Sequence, residues 1–522
     1  MFEEFNIRQK DKYCLLFILI FSVILVGYYI NFNNSIGVYC SDVYVYLLNA
    51  LYYTGINLRS TSTIYLSPVI CRLTSIFFYF GFVNKQAIYI VTGAFAIFGN
   101  LGLYLLFKRY FNEILSLAGT IIYCSLTLYL TWLANGTLDI PAVSMIIWIV
   151  LFSLMAIDDN PKYYQHAILF LVLGIFTRYT ILLVVPALIL YYVYKKGFRI
   201  DRKELKYILR GIAIGLILAA IIMIPVIIMG NGQFDAGSQI SSGMIGAQGT
   251  QSDPAYTEDT GYYIANLPNF ISNSHTVIDG NPTLDNPTPL AWEIIGILML
   301  GMCLWIYDNK QKPQKKDIIA LVFFILAIVS FTRVSSVITT ILVLIGIYFM
   351  GRDSKNKNEY FMLAWIFSNI IFYSYFTIKV NRYFLPAFPA IVYFILLSIE
   401  TINNHVKINK NIIPIILIAL FIIQAFAFTY TFEETNKFKA IEEIADYIIV
   451  NHPDYENIKI GVYNVRAYNW WLGENLLPIK SSDTGIIDSS NATYYISNKD
   501  INLTNYTMIK NIDTIYLYEK SV

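Results

Sequence analysis

The segment "KKGFRIDRKELKYILR" (residues 195–210) carries seven lysines and arginines between two long apolar runs, and the side on which it lies sets the topology of the whole chain. The 522 residues are 57% hydrophobic and only 14% charged, whereas soluble globular chains carry roughly a quarter charged residues. A transmembrane helix needs about 20 mostly apolar residues. Such runs occupy 13–30, 86–107, 114–133, 138–156, 207–229, 289–307, 360–378, 383–401 and 412–431. Two further regions, 163–194 and 317–350, are too long for one helix and short for two. Each is interrupted at mid-length, by "FTRYT" around Arg178 and by "FTRVS" around Arg333.

Cytoplasmic loops are enriched in Lys and Arg. Residues 195–210 share a side with the basic loops "DNKQKPQKK" (308–316), "GRDSKNKNE" (351–359) and "NNHVKINKN" (403–411) only under two conditions. Both long regions must be hairpins of two short helices. The stretch "IYLSPVICRLTSIFFYFGF" (64–82), with Pro68 and Arg72, must lie at the interface or re-enter rather than cross. The expectation is a polytopic α-helical membrane protein of about 13 spans, with its N-terminus inside and its C-terminus outside. The first apolar run follows "RQKDK" without a small-residue cleavage site, which reads as a retained anchor.

This topology makes residues 31–85 a large external loop with interfacial helices, and residues 230–288 a second external loop rich in Gly, Ser, Asn and Pro. Residues 230–293 contain neither Lys nor Arg. The membrane domain then covers 1–432. Residues 433–522 are soluble in character and predict a small external α/β domain. In "NKFKAIEEIADYIIVNHP", Ile441, Ile444, Ala445 and Ile448 have helical spacing, and "KIGVYN", "ATYYIS" and "TIYLYE" read as short strands. A net charge of +2 gives no argument for a nucleic-acid partner. Five cysteines do not make a disulfide framework, and Cys40 and Cys71 read as free thiols. The four histidines lack metal-ligand spacing.

The outer face carries the charges that need explaining. Arg59, Arg72, Arg178, Arg333, Lys379 and Arg382 fall at outward ends of spans or in the first external loop, with Asp42 and Asp139 at similar depth. Ionisable groups at apolar segments are costly and are usually paired or functional. An arginine cluster near a membrane surface suits a lipid phosphate, because guanidinium binds phosphate in a bidentate way. Each residue also has a plainer reading. Asp42 and Asp139 both stand at helix starts and could cap them, while Arg178 and Arg333 could snorkel from the ends of short helices.

The order of these motifs resembles the membrane-embedded GT-C glycosyltransferases, specifically the protein mannosyltransferase and aminoarabinose transferase-like group. The matching pieces are "YCSDVYVYLLNALYYTG", "YLSPVICRLTSIFFYFGF" leading into "AIYIVTGAFAIFGNLGLYLLFKRYF", "TLDIPAVSMIIWIVLFSL", "LGIFTRYTILLVVPALILYYVY" and "NRYFLPAFPAIVYFILL". They cover most of residues 1–400 in order, although each is loose alone. The resemblance implies transfer of a sugar, such as mannose, from a polyprenyl- or dolichyl-phosphate carrier to a glycan, lipid or protein acceptor at the external face of the cell membrane. It implies Asp42 as the catalytic carboxylate and Asp139 as a second acidic contact, to the acceptor or to an arginine. Arg59, Arg178, Arg333, Arg382 and Tyr383 would serve the donor phosphate. Many relatives place an acidic residue directly after the aspartate, where this chain has Val43. That favours metal-independent chemistry, with Asp42 the candidate ligand should a divalent metal ion take part.

Two rival functions are an oligosaccharyltransferase and a secondary transporter. "YNWWLGEN" (468–475) is similar to the Trp-Trp-Asp-Tyr-Gly motif of oligosaccharyltransferases, but Leu472 and Gly473 replace its polar core, so the two tryptophans read as packing the domain against the membrane surface. A transporter would show matched internal repeats, and the surroundings of the two "FTR" interruptions do not match. The sequons at 135, 491, 502 and 505 are compatible with an outward face.

Overall fold

The computed structural model describes residues 8–55, 67–229, 256–275, 286–310, 314–406, 409–432 and 437–521. The chain divides into two compact units. One consists of Met1–Val26, Ala94–Leu133 and Leu138–Phe432, and the other of Gly27–Gly93, Ala134–Thr137 and Glu433–Val522.

Among the described residues, eight helices are long and apolar enough to cross a bilayer: Gln9–Ile36, Gln86–Lys108, Asp139–Asp158, Tyr179–Lys196, Arg202–Ile228, Pro289–Asp308, Asn381–Val406 and Ile412–Thr431. The remaining apolar runs are also helical. Glu113–Cys124, Tyr164–Ile175, Lys315–Ser330 and Ser336–Gly351 are shorter, and Lys357–Ser374 carries two charges in its first turn.

In the larger unit the two "FTR" interruptions differ. Lys315–Ser330 and Ser336–Gly351 pack on each other as a true hairpin, with Phe323 stacked on Phe349 and Gly346 against Phe324. Tyr164–Ile175 and Val185–Lys196 part company at Arg178. The first packs on Asp139–Asp158 and Arg202–Met229, the second on Lys357–Ser374. Residues 114–133, expected as one span, break at Ser125–Leu126 into Glu113–Cys124 and the short helix Thr127–Thr131. A helix broken inside a membrane protein must have its freed backbone groups satisfied. Gln424 does this, its Nε2 donating to the carbonyls of Ser125 (2.7 Å) and Ile271 (3.0 Å).

In the second unit, helices Ser41–Thr54 and Pro68–Tyr79 pack on each other. Twelve residues of helix reach only about 18 Å, so Pro68–Tyr79 is by itself too short for a hydrocarbon core of about 30 Å. The carboxy-terminal segment forms a five-stranded sheet in the order β2-β1-β3-β5-β4. Strands β1 (Ile460–Val462), β2 (Leu476–Pro478) and β3 (Tyr494–Ser497) are parallel, while β5 (Ile515–Lys520) and β4 (Tyr506–Ile512) run antiparallel. The three strands read from sequence are present. β2 is only three residues long and β4 has just Tyr506 fully buried, so neither carries a clear alternating signal. Helix Lys437–Asn451 buries Ile441, Ile444, Ala445 and Ile448, as their spacing predicts.

This unit joins segments far apart in sequence. Lys85, 3% exposed, pairs with Glu442 at 2.6 Å. Trp470, in helix Val465–Leu472, stacks on Phe78 with ring centroids 5.8 Å apart. This tryptophan therefore packs against protein, on the first-loop helix, rather than against a membrane surface. Asn135 is 4% exposed and its amide donates to Tyr39 Oη at 2.7 Å, which withdraws that sequon from modification in the folded state. Cys40 and Cys71 are free thiols.

Gly37 has φ +87°, and a Cβ there would lie 2.8 Å from the backbone of Phe438 and Lys439. Both the left-handed backbone and the close approach demand glycine. Gly37→Ala is expected to lower the thermal unfolding midpoint of the purified protein by several degrees, whereas Gly55→Ala, with open space around its Cβ position, loses only the backbone contribution. Differential scanning fluorimetry of the two variants in one detergent checks the order.

Candidate active site

The helix Asp139–Asp158 starts at "LDIP", with Leu138 at the N-cap and Pro141 in the first turn, where its missing N–H costs nothing. Asp139 is 4% exposed. Its carboxylate does not cap the helix. It faces sideways to two arginines brought from elsewhere in the same unit. Arg178 Nη1 donates to Oδ1 at 2.5 Å, and Arg382 Nη1 stands 3.7 Å from Oδ2.

Each arginine is delivered by an interruption in helical structure. Arg178 has an extended backbone (φ −161°) between Tyr164–Ile175 and the 3-10 turn Tyr179–Val184. Arg382 sits in the 3-10 segment Asn381–Ala387, whose Pro386 prevents an ordinary α-helical start before Phe388. Aromatic faces complete the enclosure. The Arg178 guanidinium lies 5.4 Å from the centre of the Tyr383 ring, and that of Arg382 lies 5.2 Å from Trp132. Trp132 Nε1 donates to Asn381 Oδ1 at 3.0 Å, and Tyr383 stacks on the buried Tyr373 at 5.1 Å. Cation–π contacts contribute about 0.5–2 kcal/mol each, more when desolvated, and here they also fix the planes of the guanidiniums. A third cation, Lys379, is 1% exposed and donates to the carbonyls of Ser374 (2.8 Å) and Tyr373 (3.1 Å). Burial pushes its ammonium down to about 8, against the opposing pull of Asp259.

The other sequence candidates stand elsewhere. Asp42 belongs to the second unit, partly exposed in the first turn of Ser41–Thr54, with Cys40 at the N-cap and its Sγ 4.0 Å from Asp42 Oδ2. The negative charge there suits the helix macrodipole. Arg72, in the same unit, lies 4.5 Å over the Tyr53 ring. Arg333 is exposed at the turn between Lys315–Ser330 and Ser336–Gly351. Arg59 lies outside the described residues. The sequence reading missed Trp132, Asn381 and Tyr373 because aromatic and amide side chains in an apolar chain carry no signal until a charge is seen to lie on them. Among the described residues no group of three or more His, Cys, Asp or Glu could hold a metal ion.

Residues 66–228 match the dolichyl-phosphate-mannose-protein mannosyltransferase family. The fold is similar to ArnT from Cupriavidus metallidurans. Against the form bound to undecaprenyl phosphate the TM-score is 0.57 at 10% identity, covering 96% of this chain and 97% of that one. Against the apo form the TM-score is 0.54. The apo oligosaccharyltransferase of Archaeoglobus fulgidus matches with a TM-score of 0.50 at 11% identity, over 93% of this chain and 70% of that one. The chain is thus similar to the mannosyltransferase family over residues 66–228 and to ArnT in fold. No curated protein sequence matches it.

The buried charges of this region generate two predictions. Removing one partner of a buried pair costs about 3–5 kcal/mol, because the other charge is left uncompensated. Asp139→Asn is expected to lower the unfolding midpoint, and the double variant with Arg178→Met to recover part of the loss; a double-mutant cycle by thermal unfolding measures the coupling. Lys379 has its proton weakened by folding, so between about pH 8 and the ordinary lysine value the unfolded chain holds more protons than the folded one. This contribution to stability therefore rises with pH across that window. Unfolding midpoints of wild type and Lys379→Met at pH 8 and pH 10 should show the rise only in the wild type's excess over the variant.

Proposed function

We propose that the chain transfers a sugar, a hexose such as mannose, from a polyprenyl- or dolichyl-phosphate carrier to a glycan, lipid or protein acceptor at the external face of the cell membrane. One observation carries this reading: two guanidiniums converge on a single buried carboxylate and are held against aromatic rings. Two cations sharing one carboxylate favour a further anion, and a phosphate offers the oxygen pairs that guanidinium binds best. The undecaprenyl phosphate bound by the structurally similar ArnT supports a carrier of that chemistry. Transfer breaks the bond between the sugar's anomeric carbon and the phosphate oxygen, and forms one to an acceptor hydroxyl oxygen. Negative charge grows on the departing phosphate, where Arg178 and Arg382 stabilise it. Tyr383 lines the same position. Asp139 then acts on the arginines, holding them in place, rather than on the acceptor.

Asp42 keeps the role given by the family resemblance, taking the proton from the acceptor hydroxyl or orienting it, and it would be the protein ligand of a divalent ion if one takes part. Arg59 and Arg333 would be outer-face cations met by the phosphate on entry. The external placement of Asp42, the arginines and the carboxy-terminal domain follows from the distribution of basic loops, with the N-terminus inside.

Transfer from a mannosylated polyprenyl phosphate and binding of undecaprenyl phosphate to the purified chain test the assignment together. Asp42→Asn is expected to lose about 10²–10⁴-fold in transfer with carrier binding kept. Arg382→Ala should weaken binding of the carrier about tenfold or more. Unchanged transfer in the first variant, or unchanged binding in the second, would remove the corresponding role.

A further inference from the structure

The larger unit contains a cavity of about 450 Å³ that none of the roles above uses. It lies where three stretches meet: residues 258–260, the "FTRVS" turn, and residues 374–377. A backbone bridge between Tyr256 and Ile378, and the Thr257 N–H donating to Thr377 O at 2.8 Å, tie the first stretch to the third. Seven of its ten lining residues bear hydroxyls, among them Thr332, Ser335, Ser336 and Thr377, with Glu258 at the exposed edge and Phe376 on the buried wall. Tyr256 Oη donates to Glu258 Oε1 at 2.7 Å and holds that carboxylate in position.

Two features set this cavity apart from an ordinary surface hollow. Thr332 has φ +64°, a conformation costly for a β-branched residue. It is maintained by its N–H donating to Tyr375 Oη at 3.0 Å, while Tyr375 also bonds Thr339 at 2.7 Å. The turn is thus held in a strained form at the cavity wall. In addition, Phe376 packs on Tyr383 with centroids 6.2 Å apart, and Tyr383 is the ring on which Arg178 lies. A single aromatic partition joins the hydroxyl-lined cavity to the arginine cluster.

A site rich in hydroxyls, with one carboxylate and one aromatic wall, has the chemistry to receive a polyhydroxylated ring. Hydroxyls exchange hydrogen bonds with hydroxyls in either direction, a carboxylate accepts from two sugar hydroxyls at once, and an aromatic face covers the ring's C–H groups. We infer that this cavity is a saccharide subsite, holding a sugar ring of the donor or of the acceptor beside the phosphate position. The inference rests on the glycosyltransferase reading above.

The test uses the full chain in detergent or nanodiscs with three probes: undecaprenyl phosphate, undecaprenyl-phosphate-mannose and free mannobiose. Glu258→Gln and Thr377→Val remove hydrogen-bonding capacity at the mouth and floor, and Val334→Trp fills the cavity from its wall. Each should weaken one sugar-bearing probe by about tenfold, Glu258→Gln by removing a charged hydrogen bond, Thr377→Val by removing a hydroxyl and Val334→Trp by occlusion, while undecaprenyl phosphate binds as to wild type. Loss on the mannosylated carrier assigns the donor's sugar, and loss on mannobiose the acceptor's. If all three variants bind both sugar probes as wild type does, the inference is overturned. Arg382→Ala, measured in parallel with undecaprenyl phosphate, reports on the phosphate site separately, so failure of that reading is distinguishable from failure of this one.

Discussion

The buried carboxylate of Asp139 is the constraint on which the larger unit's functional architecture depends. A guanidinium removed from water without a partner is strongly disfavoured, and a buried pair repays its desolvation only with good geometry and further contacts. Here the partners are assembled with care. Arg178 donates directly to one oxygen, Arg382 approaches the other, and both lie on aromatic rings. Two helices must be interrupted for the arginines to arrive. The extended residue at Arg178 and the 3-10 segment at Asn381–Ala387 are the local cost.

The same logic explains the break at Ser125–Leu126. A helix left open in an apolar surround needs acceptors and donors for its freed groups, and Gln424 supplies them. Thr127 Oγ1 then donates to Asn269 O at 2.7 Å, tying the short helix to the helix Leu267–Ile271. The resulting turn carries Trp132 to the position where its ring lies on Arg382. Polar residues that look incidental in an apolar sequence are therefore the groups that let the helices be irregular where the site needs them.

In the second unit, the described residues of 27–93 and the carboxy-terminal sheet form one compact body although more than three hundred residues separate them. Trp470 on Phe78, Lys85 with Glu442, and Gly37 against Phe438 are its specific contacts. They place Asp42's helix on a folded platform. Helix Val465–Leu472, which carries the paired tryptophans, packs on Ser41–Thr54, so the motif that suggested acceptor recognition in sequence serves the support of the first loop.

The sequence by itself determined the membrane class and the positions of the helices, because apolar runs of span length are a one-dimensional property. It also singled out Asp139, Arg178 and Arg382, since charges beside such runs stand out in the same one-dimensional way. Helix Lys437–Asn451 and three of the five strands were legible for a like reason, their apolar spacing. Capping and pairing are equally good uses of an aspartate at a helix start, and only the tertiary structure decided that Asp139 turns to the arginines. It alone separated Arg333 from them, since both "FTR" interruptions read alike and one is a packed hairpin while the other divides two helices. The partners Trp132, Asn381 and Tyr373, and the cavity under Thr332, are matters of distance between remote segments. No periodicity encodes such distances; they exist only once the helices have packed.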